Sequence, residues 1–126
     1  MASKDNFNLI IPILNTEYKV VVCWGDEKFV QRTANGLGYK EKISMGNNDG
    51  ICYSHDNLYP LIILLNAPKA PYEIAVLAHE AVHAVRDIWD LVEEDLRMSD
   101  EIFAHSVGAI VRDTLEAINK RKKHGK

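Results

Sequence analysis

Residues 77–85 read Leu77-Ala78-His79-Glu80-Ala81-Val82-His83-Ala84-Val85, and how this stretch folds decides how the rest of the chain is read. It lies in a largely apolar run from Tyr72 to Arg97 that contains neither Gly nor Pro, which predicts a helix. At about 100° per residue, His79 and His83 then share one face, and their imidazoles can hold one metal ion with Zn–N bonds of about 2.0–2.1 Å. Glu80 stands at the edge of that face, within reach of a metal-bound water but outside the ligand set. Two neutral nitrogen ligands, an open coordination position and a carboxylate base are the parts of a metal-assisted hydrolase. The same five-residue pattern arises by chance, and on a polar surface helix it would mean little. Here the neighbours are Ala75, Val76, Leu77, Ala78, Ala81, Val82, Ala84 and Val85. Three ionisable side chains among them are costly unless paired or metal-bound, so the metal reading is preferred.

The 126 residues are expected to form one domain spanning 1–126. With 47% hydrophobic and 26% charged residues, the chain can bury a core. A formal net charge of −3 gives no electrostatic case for nucleic acid. The basic tail from Lys120 to Lys126 reads as a solvated helix end whose cations suit the C-terminal dipole, in preference to a nucleic-acid arm. No secretory signal is expected, because Met1 to Asn6 is polar and the apolar stretch behind it is short and contains Pro12. No apolar run is long enough to span a membrane. Cys23 and Cys52 lie in strand-like segments and are expected as buried thiols, too isolated to form a cysteine zinc site. A cytoplasmic protein is the expectation.

Upstream of the motif, Phe7 to Leu14 and Glu17 to Trp24 are rich in β-branched and aromatic residues and predict two strands, as in a hairpin across Asn15-Thr16. Pro12 places the first at an edge. Asp26 caps a predicted helix from Glu27 to Asn35, with Phe29, Val30 and Ala34 inward and Gly36 and Gly38 ending it. Tyr39 to Met45 reads as a further strand. Gly46-Asn47-Asn48-Asp49-Gly50 reads as a turn, since it lacks the spacing and closing Glu of a calcium loop. Ile51 to His55 and Tyr59 to Asn66 complete the strands. The motif helix is expected from Tyr72 to Trp89, with an extension toward Glu94. Ser99 caps a last helix to Lys120, with the stripe Ile102, Phe103, Val107, Ile110, Val111, Leu115 and Ile118 inward. The fold class expected is α+β: a small twisted sheet of three to five strands packed on the motif helix and the last helix, with the Glu27–Asn35 helix on the other side or at an end.

A catalytic zinc site usually has three protein ligands. Asp87 shares the helix of His83 and cannot easily fold back to complete a tetrahedron. Glu101 sits in the first turn of the next helix, followed by apolar Ile102 and Phe103, and is the preferred third ligand, with His105 and Asp100 as alternatives. Asp100 points about 100° away from Glu101, as suits a capping residue. His105, four residues after Glu101, shares its face. It could be a ligand, a partner to one, a donor to a transition-state oxyanion, or a helix histidine with no role.

These features resemble the small zincins, metallopeptidases of the gluzincin type. His79-Glu80-Ala81-Val82-His83 is similar to their zinc-binding helix, and Glu101-Ile102-Phe103-Ala104 to the glutamate helix that completes the site. Gly50-Ile51-Cys52-Tyr53, then Ile62-Ile63-Leu64-Leu65-Asn66, then the motif helix, follow the order found in small phage and bacterial zincins, including the repressor-cleaving (ImmA/IrrE-like) group. The resemblance covers residues 50 to 118. It implies a zincin-like fold, Zn²⁺ held by His79, His83 and Glu101, Glu80 as catalytic general base, and a peptide or protein substrate. That substrate would lie as an added strand along the region from Ile51 to Asn66. His105, Tyr53, His55, Tyr59 and Tyr72 are the residue types available to stabilise an oxyanion. The chain departs from the pattern at His105, where gluzincins often carry Asp, and it lacks the lobes of large gluzincins. The stretch after His83, AVRDIW, lacks the Gly and third His of metzincins. Two other classes remain: a catalytically weak or inactive zincin-fold protein that binds a partner, and a zinc amidase acting on small molecules or cell-wall peptide. The intact Glu80 favours an enzyme, because a structural zinc site has no need of that carboxylate.

Overall fold

Val20 to Trp24 and Leu61 to Leu64 are apolar without alternation, as befits strands covered on both faces. The computed structural model, which describes residues 5–13, 17–55, 57–92 and 100–124, places them at the centre of a sheet. The elements in order are β1 (Phe7–Pro12), β2 (Lys19–Trp24), α1 (Glu27–Leu37), β3 (Gly50–Tyr53), β4 (Leu61–Leu64), α2 (Pro71–Val92) and α3 (Asp100–His124). The architecture is α+β, with one mixed sheet in the order β1-β2-β4-β3. β2 and β4 run parallel from Val21↔Leu61 to Cys23↔Ile63. β1 is antiparallel to β2, from Phe7↔Trp24 to Pro12↔Lys19, and β3 is antiparallel to β4, from Gly50↔Leu64 to Tyr53↔Leu61.

The period of two along each strand sorts the core into two layers. Phe7, Ile11, Val20, Val22, Trp24, Ile62 and Leu64 meet Leu77, Ala81, Ala84, Val85 and Ile88 of α2 and Ile110 of α3. Val21, Cys23, Leu61 and Ile63 meet Val30 and Ala34 of α1, with Tyr39 beside them. The two thiols fall on opposite faces, Cys23 toward α1 and Cys52 toward α2. Each fully buried Leu or Ile in these layers contributes about 1.5–3 kcal/mol. β1 extends past α1, so Ile10 on its outer face is 57% exposed. Pro12 lies in this edge strand, where a missing N–H is tolerated.

Several boundaries differ from the sequence expectation. Tyr39 to Met45 is not a strand. Its backbone serves α1 instead: the Tyr39 N–H donates to Ala34 O at 3.0 Å, the Ile43 N–H to Gln31 Oε1 at 2.8 Å, and Gln31 Nε2 to Glu41 O at 3.1 Å. α1 passes through Gly36 and stops at Gly38, whose φ of 107° is the left-handed cap position that glycine occupies without strain. α2 starts one residue early, at Pro71, a residue pre-set for the first helical position. Glu73 Oε1 accepts the N–H groups of Lys69 and Ala70 at 3.1 and 2.9 Å, the reciprocal half of a capping box. α3 continues past Lys120 to His124. α2 runs beyond Trp89 to Val92; the rest of the extension toward Glu94, the Asn15-Thr16 turn and the Ser99 cap lie outside the described residues. No helix among the described residues is long and apolar enough to cross a membrane.

The start of α1 is tied to the N-terminal strand. Asp26 Oδ1 accepts the Phe29 N–H at 2.8 Å, while Asn6 Oδ1 accepts the Asp26 N–H at 2.9 Å. The Phe29 N–H is the main reason the Asp26 carboxyl lies below its ordinary 3.8; Asn6 and Arg32 assist, and burial opposes them. A carboxyl whose pKa is lower folded than unfolded stabilises the fold above its unfolded value, and that stability is lost as pH falls through the folded value. Asp26→Ala should therefore lower the urea midpoint at pH 7, and its gap to the wild type should narrow below about pH 4. Urea titrations between pH 7 and pH 3 check this.

Candidate metal centre

α2 buries Leu77, Ala81, Ala84, Val85 and Ile88 and leaves His79 and His83 exposed, as 3.6-residue periodicity requires. The two imidazoles converge. Their Nε2 atoms stand 3.2 Å apart, and the rings meet edge to face with centroids at 4.9 Å. Two nitrogens bound tetrahedrally at about 2.0–2.1 Å would be roughly 3.3–3.4 Å apart, so the observed spacing suits a shared ion. With one Nε2 protonated, the same spacing also serves an N–H···N hydrogen bond.

Glu80 is turned toward the sheet and is only 8% exposed. It lies against the start of β3, close enough that a Cβ placed on Gly50 would come 3.1 Å from Glu80 Cγ and 2.6 Å from Val76 Cγ1. No hydrogen bond reaches the Glu80 carboxylate from the described residues. Further along β3, burial pushes the Cys52 thiol up to about 12, and the Asp87 and Glu80 carboxylates add to this. Burial therefore disfavours the Cys52 thiolate. Where β3 ends, Ser54 Oγ donates to Asp87 Oδ2 at 2.7 Å. Asp87 thus anchors the strand to the helix one turn after His83. The sequence held no signal for Ser54 as its partner. β3 is an edge of the sheet, so one side of the strand has no strand neighbour among the described residues.

The remaining predicted residues are dispersed. Glu101 and His105 lie on the outer face of α3, with His105 Nε2 3.2 Å from Glu101 Oε2 and side chains 66% and 83% exposed for His105 and Glu101 respectively. Among the described residues, no three His, Cys, Asp or Glu side chains are grouped as a metal site. The structure therefore brings His79 and His83 together and does not add Glu101, His105 or Asp100 to them. Asp100 instead lines a cavity of about 320 Å³ with Arg86, Trp89, Asp90 and Phe103. Of the oxyanion candidates, Tyr72 donates to Asp49 Oδ2 at 2.5 Å, and His55 pairs with Glu41 at 3.2 Å. The carbonyls of Tyr53 and Tyr59 accept the Tyr39 hydroxyl at 3.1 and 2.8 Å, on the α1 side of the sheet.

The chain gives no significant match to any protein-family model, curated protein or solved structure. The functional reading therefore stands on the residues themselves.

Gly50 is the close approach that sets Glu80 against the sheet edge. Val76 is β-branched and stiff in a helix, so it cannot swing clear of an added methyl group. Gly50→Ala should cost about 1–3 kcal/mol in urea denaturation, the usual range for overpacking. An unchanged midpoint would show that β3 is free to move off α2.

Proposed function

We propose that this chain is a zinc-dependent peptidase of the zincin kind, with His79, His83 and Glu101 as ligands and Glu80 as general base. One observation carries the reading: two exposed imidazoles converge on one point, and the next residue after the first of them is a nearly buried carboxylate with no donor among the described residues. The two-histidine donor set fits zinc. When bound, the ion would supply a Lewis acid and bring a water's pKa toward 7.

The chain's own residues would do the rest. Glu80 takes a proton from the attacking water and returns it to the leaving amine. Its burial beside Gly50 fixes its rotamer, so little ordering remains for the reaction to impose. The free side of β3 offers backbone groups to an extended peptide, which would lie next to Glu80. Glu101 is the proposed third ligand because it stands in the first turn of the helix packed on α2. To serve, its carboxylate must exchange His105 for the metal. The exposure of Glu101 in the structure favours one second reading, a catalytically weak or inactive protein of the same scaffold that acts by binding a partner.

Glu80→Gln separates the two. The amide keeps the shape and cannot act as a base, so the variant should keep its fold and metal. A peptidase should lose turnover by about 10²–10⁴-fold, and a binder should lose nothing. Comparing new protein N-termini in cells carrying wild type or Glu80→Gln supplies the readout, because it needs no chosen substrate. Absence of cleavages specific to the wild type, with metal loaded, would favour the binder. Glu101→Ala should weaken zinc binding severely in a zinc titration, whereas Asp100→Ala should not. Loss of zinc from Asp100→Ala or His105→Ala, but not from Glu101→Ala, would reassign the third ligand.

A further inference from the structure

α2 carries His79 and His83 on its outward face, both exposed, with their Nε2 atoms 3.2 Å apart. A four-coordinate zinc ion shared by the pair has two further positions to fill. Because one helix supplies both nitrogens, the other two corners of the tetrahedron point away from that helix. In the structure the Glu101 carboxylate is engaged by His105 at 3.2 Å, so those corners are open to a ligand from outside the chain.

The helix surface around the pair suits the approach of a second helix. Tyr72 is 66% exposed and Val82, between the two histidines, 38%. Ala75, also exposed, stands one turn before His79 and is small enough for two backbones to come close. From Ile74 to Val85 the ionisable residues are His79, Glu80 and His83, and Glu80 is turned toward the sheet. This outward face therefore carries no fixed charge to repel a copy of itself. Like charges brought face to face are what ordinarily forbid such self-contact.

We propose that two copies of this chain share one zinc ion through His79 and His83 of each. The contact is isologous, with the two-fold axis through the ion and the same face of α2 buried in both copies. Four imidazoles close the coordination shell, so no position is left for a water or a peptide carbonyl. The dimer is thus the shut form of the metal centre, and the chain with its own ion is the open form. The proposal rests on the zinc reading of the histidine pair and not on Glu80 as a base.

The test is sedimentation velocity of the metal-stripped full chain during a zinc titration. The chain should sediment as a monomer without zinc, reach its largest dimer fraction at about half an equivalent, and return to monomer in excess zinc as each chain takes its own ion. His83→Ala should stay monomeric throughout, and Glu101→Ala should still dimerise. Ala75→Arg, at an exposed position and unable to ligate zinc, should weaken the dimer at least about tenfold. Its one-to-one zinc uptake in excess zinc, read by calorimetry, should match the wild type. A wild type that takes up zinc one to one and stays monomeric at every ratio would overturn the dimer and leave the zinc peptidase standing. A wild type that takes up no zinc would overturn both. A dimer that persists in His83→Ala or in chelator would show that the copies meet without a shared ion, which also overturns the proposal.

Discussion

A helix and an edge strand meet at Gly50 with no room for a methyl group, and the placement of Glu80 beside β3 depends on that contact. β4 is four residues long and buried throughout, so it needs cover on both faces. α2 supplies one cover with Leu77, Ala81, Ala84, Val85 and Ile88. Once those five face the core, helical geometry leaves no freedom for the residues between them. His79 and His83 are turned outward together, and Glu80 is turned toward β3. The candidate centre is thus a by-product of core packing, held by the same burial energy that folds the domain. The Ser54–Asp87 hydrogen bond fixes the far end of the same strand. Glu80 lies against Gly50 at the start of that strand.

Much of this was legible in the sequence because the relevant signals are local. The uninterrupted apolar runs around Val21 and Ile62 indicated strands. The apolar run without Gly or Pro from Tyr72 onward indicated α2, and Asp26 announced the start of α1. The Tyr39–Met45 segment misled because its composition is strand-like while its backbone pairs with α1, at Tyr39 with the Ala34 carbonyl and at Glu41 and Ile43 with the Gln31 side chain. Gln31 is an ordinary helix residue in sequence. Only the fold shows that its amide replaces a ladder for Glu41 and Ile43. Ser54 and the close approach at Gly50 were hidden for the same reason, since both depend on how β3 sits on α2.

The candidate site divides along the same line. His79, Glu80 and His83 lie within one turn and a half of helix, and local geometry alone brings the imidazoles together. A third ligand must come from another element, and its arrival depends on how α3 is set against α2. The structure keeps Glu101 with His105, four residues along its own helix, an exposed pairing worth little in itself. A metal ion bound at the histidine pair could outcompete so weak a contact.

The most direct measurement is the zinc content of the purified protein, with calorimetric titration of zinc into metal-stripped wild type, His79→Ala and His83→Ala. The account predicts close to one zinc per chain in the wild type, and loss of that binding in either variant while the fold, followed by circular dichroism, is retained. Wild-type protein that carries no zinc and takes up none on titration would contradict it, and the His79–His83 contact would then be a hydrogen bond between two surface side chains.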